Sequence, residues 1–288
     1  AMAAAVLEPA EIARIERLAL TPDRKVPASA AGPHRSVIHG RSLDVVEWRE
    51  YQPGDDPRTI DVQAWARLDQ VLVRLYEGDV DLQIQLVVDT SASMASGDKL
   101  RHAARVAAAI GAAALMRNES VSVSSLRDRV PRRYRSRTAL APFLAHIESW
   151  KAEGDTPLLA RSKELNASTR RPGLVVVVSD FLTPDALNTI DQLAARRSQV
   201  LAVLVASEVD ENLDTLGEVQ LVDVESGSRV DVDLSPDLLA QFSARRAATR
   251  RALEQRLARH GSRLVVTWAT EDLLGEVIPK LSTAGLLR

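Results

Sequence analysis

The sequence predicts an α/β protein with an open, mostly parallel sheet flanked by helices, and two features of its pattern support this class. From residue 82 onward, short aliphatic runs alternate with stretches of helical length, an order typical of parallel strands joined by crossover helices. The run L-V-V-V-V at residues 174–178 has no polar alternation, which indicates a strand covered on both faces. In such a sheet, ligands bind beyond the carboxyl ends of the strands.

The chain before residue 82 divides into two less regular parts. Residues 1–33 hold an N-terminal helix and linker, and residues 34–81 form a small region that contains β structure. The elements predicted there are a helix at residues 8–20, a linker at 21–41, strands at 45–51 and 71–76, and between those strands a P-G-D-D turn and a short helix from Pro57.

Residues 82–288 carry the alternation and predict a Rossmann-like domain. A β-hairpin is inserted near residues 218–234, where two short strands flank the sequence E-S-G-S. The predicted strands are 82–88, 120–126, 174–179, 200–206 and 263–267, and the predicted helices are 99–117, 138–151, 157–168, 184–197, 236–260 and 271–284.

Composition and missing motifs exclude several classes of protein. The 37 basic and 39 acidic residues leave a net charge of -2, which argues against a dedicated nucleic-acid binder. The absence of cysteine excludes disulfide scaffolds, thiolate zinc sites and cysteine nucleophiles. The sequence contains no P-loop, dinucleotide fingerprint or nucleophile elbow. The first residues do not resemble a signal peptide and no apolar run reaches the roughly 20 residues of a spanning helix, so we expect a cytoplasmic protein without a membrane span.

Three short motifs place oxygen ligands at one edge of the predicted sheet. D-T-S-A-S follows the first strand of the alternation, G-D-T-P-L precedes a helix, and S-D-F ends the 174–178 strand. Hydroxyl and carboxylate oxygens are the ligands that Mg²⁺ prefers, with Mn²⁺ or Ca²⁺ as possible substitutes. The predicted metal ligands are Asp89, Ser91, Ser93, Thr156 and Asp180.

Each motif also has a purely structural interpretation. Ser91 and Ser93 can cap the following helix, Thr156 can cap the helix that begins with Pro157, and Asp180 can begin a turn. The convergence of all three motifs at strand ends favours a metal site over these readings.

The motifs resemble the metal-ion-dependent adhesion site of von Willebrand factor A domains, over about residues 82–288. Upstream, W-R-E-Y-Q-P-G-D-D-P-R-T-I-D at residues 48–61 resembles the signature of the bacterial domain-of-unknown-function family fifty-eight. In that family this block immediately precedes a von Willebrand A domain. The two resemblances together cover roughly residues 34–288.

The resemblance implies a role for each predicted ligand and a class of partner. Ser91, Ser93 and Thr156 would approach the ion through their hydroxyls, and Asp89 and Asp180 would act directly or through water. The family is linked with MoxR-type AAA+ ATPases and is thought to act as their adaptor or co-chaperone. The resemblance therefore implies a protein that is not an enzyme and that binds such an ATPase, or its client, through Mg²⁺.

Two positions depart from the family pattern. Asp155 stands where the family usually has glycine, and it adds negative charge near the expected ion. Val62 stands where the signature often has Trp, with Trp65 three residues on, which changes the local packing of the block.

Other functions remain open at this stage. A magnesium-dependent phosphohydrolase could use Asp89 as its nucleophile, although Ser91 replaces the second acid of the D-x-D-x-T pattern that such enzymes show. The arginine-rich residues 127–137 could bind nucleic acid, but charged residues also protect an edge strand against aggregation. The block at residues 48–67 is either an ordinary charged turn and helix or a docking surface.

Overall fold

The structure is a computed structural model, and it describes residues 5–18, 45–51, 60–68, 70–76, 83–128, 130–155, 157–168, 173–195, 199–211, 216–224 and 227–287. The chain forms two compact units. The larger unit comprises residues 1–24 and 82–288, and the smaller unit comprises residues 25–81.

The larger unit is built on a six-stranded sheet whose strands have the order β10-β7-β6-β3-β4-β5. All neighbouring pairs are parallel except β4 and β5, which are antiparallel. The α/β class with a mostly parallel sheet is therefore confirmed. The strands are β3 (Gln83–Val88), β4 (Ser120–Ser125), β5 (Arg132–Arg135), β6 (Leu174–Ser179), β7 (Gln199–Ala206) and β10 (Arg263–Trp268).

Helices connect these strands, and most of them lie close to the predicted positions. The predicted C-terminal helix at residues 271–284 is instead a π-helical segment, Leu273–Val277, continued by a short α-helix. The helices of the larger unit are α1 (Pro9–Ile15), α3 (Lys99–Met116), α4 (Leu140–Glu148), α5 (Leu158–Ser168), α6 (Ala186–Ala194), α7 (Glu208–Glu211), α8 (Pro236–Arg259) and α9 (Ile278–Thr283). Among the helices that the structure describes, none is long and apolar enough to cross a membrane.

The strand β6 lies in the centre of the sheet, and every one of its residues is buried. It pairs with β3 on one side and β7 on the other, with Leu174 opposite Ile84 and Gln199. Alternate residues face two separate cores: Val176 packs with α3, and Val177 packs with α6 and α8. Burial on both faces explains the uninterrupted aliphatic run that the sequence shows.

The helix α3 is the most buried helix of the larger unit, with fourteen of its eighteen residues buried. Eight of these are alanines, which allow backbones to approach closely. The N-terminal helix α1 packs against α3: Ile15 is fully buried and Glu11 forms an ion pair with Arg105. The helix α1 is thus part of the larger unit. Residues 19–20 of the predicted helix lie outside the described residues.

One edge of the sheet and the inserted hairpin are exposed. The edge strand β5 carries Arg132, Arg133 and Arg135 in exposed positions, which fits the prediction that this arginine-rich segment protects an edge. The predicted hairpin is confirmed: β8 (Gly217–Val222) pairs antiparallel with β9 (Arg229–Leu234) as a separate two-stranded sheet.

Among its described residues, the smaller unit contains an antiparallel pair of strands and one helix. The strand β1 (Val45–Glu50) pairs antiparallel with β2 (Leu72–Tyr76). The helix α2 (Val62–Leu68) begins later than predicted, because the Asp61 carboxylate accepts hydrogen bonds from the backbone N–H groups of Gln63 and Ala64 at 3.1 Å and thereby caps it. Pro57 and Arg58 lie outside the described residues.

Candidate metal centre at the strand ends

Three adjacent strands end at the candidate site. The strands β7, β6 and β3 are neighbours in the sheet and run parallel, so their carboxyl ends meet at one edge. Asp89 directly follows β3, Ser179 and Asp180 stand at the end of β6, and Asp210 lies in α7 after β7.

Asp89 is, together with Ser91, the most deeply buried of the predicted ligands that the structure describes. Its residue has no exposed surface, and its backbone N–H donates to the carbonyl of Val178 at 2.8 Å. The carboxylate accepts from the backbone N–H of Ser91 at 2.9 Å and from the Ser179 hydroxyl at 2.6 Å. Both donors are uncharged.

Burial raises the pKa of Asp89 above its ordinary value, and the nearby charge of Asp180 adds to the rise. Hydrogen bonds from Ser179 and Ser91 act in the opposite direction but are outweighed. A carboxylate that is desolvated in this way gains from a neighbouring cation.

The hydroxyls of Ser91 and Ser93 form a hydrogen bond with each other, with their Oγ atoms 3.0 Å apart. Two adjacent ligands of an octahedral Mg²⁺ ion, each about 2.1 Å from the metal, are separated by about 3.0 Å. Ser91 precedes the 3₁₀ segment Ala92–Asp98, but its side chain makes no capping hydrogen bond. The capping interpretation therefore does not account for Ser91.

Asp180 is held by a lysine that the sequence analysis did not select. Lys99, the first residue of α3, places Nζ 2.7 Å from Oδ2 of Asp180 and 2.5 Å from Oδ2 of Asp210. The other oxygen of Asp180 accepts from the backbone N–H of Leu182 at 3.1 Å. Oδ1 of Asp210 accepts from the Ser96 hydroxyl at 3.0 Å.

The two loops around this lysine adopt unusual backbone conformations. Gly97 has a φ of 56°, and a Cβ atom at this position would stand 1.8 Å from Oγ of Ser207, so only glycine fits there. Phe181 is buried with a φ of 52°, a conformation that bulky side chains rarely adopt. Its backbone N–H donates to the Ser179 hydroxyl at 2.9 Å. Such strain often accompanies functional sites.

The third predicted loop approaches the same edge. The backbone N–H of Glu153 donates to the carbonyl of Thr90 at 2.9 Å, and the N–H of Ala92 donates to the carbonyl of Gly154 at 2.8 Å. Thr156 lies outside the described residues. Asp155, the departure from the family pattern, is exposed.

The donor set fits a hard divalent cation at Asp89, Ser91 and Ser93, which together supply hydroxyl and carboxylate oxygens. Within the described ranges, no group of three or more His, Asp or Glu side chains is arranged to hold a metal ion. A cation here would therefore depend on serine hydroxyls and water. It would act on this chain as a fixed positive charge beside Asp89.

Lys99 and Asp210 are the site residues that the sequence reasoning missed. The signal for Lys99 was its position, since a basic residue at the start of a long apolar helix opposes the helix dipole and so indicates a carboxylate partner. No comparable signal marks Asp210, which lies more than 100 positions from Lys99 in the sequence. Ser179 belongs to the quoted S-D-F motif, but only its neighbour Asp180 was selected.

The buried histidines serve other contacts. His102 Nε2 lies 2.8 Å from the Thr267 hydroxyl, and burial lowers the pKa of His102 to about 4. His146 Nδ1 lies 3.1 Å from the Tyr134 hydroxyl, and burial lowers its pKa also.

Two solved structures align with part of this chain. BatB, a conserved hypothetical protein from Bacteroides thetaiotaomicron, aligns with a TM-score of 0.43 at 13% identity, over 70% of this chain and 98% of that chain. An aerotolerance-related membrane protein from Bacteroides fragilis NCTC 9343, with multiple mutations to serines, aligns with a TM-score of 0.48 at 13% identity, over 71% of this chain and 98% of that chain.

Sequence comparison gives a relative over nearly the full length. Uncharacterized protein Rv1480 of Mycobacterium tuberculosis (strain ATCC 25618 / H37Rv) is 29% identical over 282 residues, which cover 94% of this chain and 89% of that protein. The family model described as "Protein of unknown function DUF58" matches residues 47–256. The resemblance to domain-of-unknown-function family fifty-eight is thereby confirmed, and since the match spans well over half of the sequence, the chain belongs to the DUF58 family.

Proposed function

We propose that this protein is a non-enzymatic binding module of the von Willebrand A type, which binds a divalent cation, chiefly Mg²⁺, and recognises a protein partner through it. The observation that carries the proposal is the arrangement of Asp89, Ser91 and Ser93. A buried carboxylate, whose hydrogen-bond donors in the described part of the chain are uncharged, stands beside two hydroxyls at the spacing of adjacent octahedral ligands.

Two exposed apolar side chains near the candidate centre favour a protein as its ligand. Leu182 lies two residues after Asp180 and Val209 directly precedes Asp210, and these two side chains are 49% and 62% exposed. Exposed apolar side chains beside polar groups are a feature of protein-binding surfaces. A partner Asp or Glu could complete the coordination of the cation in a charge-assisted contact.

The resemblance described above favours a MoxR-type AAA+ ATPase, or its client, as the partner. In that role the protein would act as an adaptor or co-chaperone. The predicted contact depends on the cation, so it should form in Mg²⁺ and be lost in EDTA.

The test is titration calorimetry of the purified protein, first with Mg²⁺ and then with a MoxR-type ATPase. Ser93→Ala should weaken both titrations, because it removes a hydroxyl ligand. The matched control is Ser243→Ala, which removes an exposed hydroxyl on α8. Equal binding by both variants, or partner binding that resists EDTA, would refute the proposal.

The rival phosphohydrolase is disfavoured by the position of Asp89. Its carboxylate is buried and its pKa is raised, and both features weaken an aspartate nucleophile at neutral pH. Metal-dependent turnover of a phosphomonoester that disappears in Asp89→Asn would establish the rival function instead.

A further inference from the structure

Lys99 is a fully buried ammonium group inside the candidate centre. Its side chain is 1% exposed, and it contacts two carboxylates that follow different strands: Asp180 after β6 and Asp210 after β7. The side chain of Asp180 is 2% exposed and that of Asp210 is 17% exposed. The lysine therefore ties the start of α3 to two strand ends.

The position of Lys99 is costly without these partners. A buried ammonium loses its hydration, and a cation at the first residue of a helix opposes the helix dipole. Two carboxylates at 2.7 Å and 2.5 Å offset both effects. The protein thus maintains a positive charge at a place where a cation-binding site would otherwise hold only negative groups.

The charges of the cluster can be summed. Asp89, Asp180 and Asp210 contribute three negative charges and Lys99 one positive charge, which leaves two negative charges when all four groups are ionised. One divalent cation neutralises that remainder. Without the charge of Lys99, the cluster would carry three net negative charges. Without the charge of Asp210, it would carry one.

We propose that Lys99 sets the Mg²⁺ affinity of the centre: its ammonium holds Asp180 and Asp210 and fixes the charge that is available to a divalent cation. This inference rests on the proposed cation site. It assigns Asp180 mainly to the lysine and leaves Asp89, Ser91 and Ser93 as the predicted ligands within the described residues that face the ion.

The experiment measures Mg²⁺ affinity by calorimetry in four variants. Lys99→Met removes the charge while keeping an unbranched side chain. Asp210→Asn removes one carboxylate charge and keeps Lys99. The double variant Lys99→Met/Asp210→Asn restores the wild-type net charge. Asp191→Asn is the matched control, because Asp191 is a carboxylate on α6 that pairs with Arg256 and His260 instead.

We expect Lys99→Met to bind Mg²⁺ at least about tenfold more tightly and Asp210→Asn about tenfold more weakly, because nearby charges act strongly inside a protein. The double variant should fall within about threefold of the wild type, and Asp191→Asn should match it. Unchanged or weaker binding by Lys99→Met would overturn the inference, since Lys99 would then only hold the loops in place.

Folding and the cation site are checked separately. Melting in EDTA shows whether each variant folds. If Lys99→Met does not fold, Asp210→Asn decides: weaker binding supports the inference and wild-type binding overturns it. If the wild type binds no Mg²⁺ but Lys99→Met does, the proposed function fails while the inference holds. If no variant binds Mg²⁺, both fail.

Discussion

The Ser179 hydroxyl donates a 2.6 Å hydrogen bond to Oδ2 of Asp89, and so joins the end of β6 to the end of β3. The same hydroxyl oxygen accepts from the backbone N–H of Phe181 at 2.9 Å, which fixes the loop that follows. One buried side chain thus orients the carboxylate and shapes the rim beside it.

Ser179→Ala should lower the free energy of unfolding by about 1–3 kcal/mol, because it removes a donor from a buried carboxylate. Chemical denaturation in EDTA measures this loss. In the Asp89→Asn background the same substitution should cost less, since the acceptor no longer carries a charge. An equal cost in both backgrounds would mean that Ser179 does not act through Asp89.

Asp89→Asn should stabilise the cation-free protein at pH 7 by on the order of 1 kcal/mol, which is the usual size of a stabilising substitution. The reason is that burial disfavours the charged carboxylate. Mg²⁺ at ten times its dissociation constant should stabilise the wild type by about 1.4 kcal/mol and leave the variant unchanged. Thermal melts with Mg²⁺ and with EDTA separate the two effects, and an equal Mg²⁺ response in both proteins would contradict the site.

His102 should make the protein sensitive to acid between about pH 6.5 and pH 4. Its folded-state pKa is lowered to about 4 from 6.5, mainly by burial, with Arg105 and Lys280 contributing and Glu271 opposing. Neutral His102 therefore stabilises the fold fully above pH 6.5, and this contribution is lost as the pH falls towards 4. The loss over that range is on the order of 3 kcal/mol.

The measurement is chemical denaturation at pH 7 and pH 5 for the wild type and His102→Gln. Glutamine keeps an N–H donor, which can reach the Thr267 hydroxyl, but it does not titrate. The difference between the two pH values should be smaller in the variant. A difference of the same size would show that other groups cause the acid sensitivity.

Gly154→Ala should disturb the loop that leads to Thr156. Gly154 has a φ of 76°, and an added Cβ would lie 2.2 Å from Nη2 of Arg127. Arg127 also pairs with Glu153 at 2.6 Å. We expect a loss of about 1–2 kcal/mol from the left-handed backbone, together with weaker Mg²⁺ binding.

The control for that substitution is Gly261→Ala. Gly261 has a similar φ of 64°, but an added Cβ would meet no atom within 4 Å. It should show the stability loss without the change in Mg²⁺ affinity. Weaker binding in both variants would mean that a general loss of stability is responsible.

Local pattern was sufficient to predict most of the fold. The central strand β6 is predicted by its aliphatic run, and the long helices α3 and α8 are predicted by the helical spacing of their apolar residues. Both patterns arise because these elements bury apolar side chains. The helix α2 was predicted to begin at Pro57, but a carboxylate at Asp61 caps it later. The choice between several possible caps depends on tertiary contacts that the sequence does not display.

The candidate site was predicted only in part, because some of its residues are brought together only by tertiary contacts. Asp89, Ser91 and Ser93 are close in sequence, so their shared position follows from one strand end. The pairing of Lys99 with Asp180 and Asp210 joins residues 81 and 111 positions apart, and it arises only when β6 and β7 lie side by side.

The alanine-rich helix α3 has a consequence for how this protein can vary. A larger side chain at one of its buried alanines would overpack the core, and replacement by glycine would cost about 1 kcal/mol in helix propensity. At each of these positions, both larger and smaller side chains should therefore destabilise the protein. In a saturation screen for folded protein, the buried alanines of α3 should tolerate few substitutions, in contrast to the exposed Arg101 on the same helix.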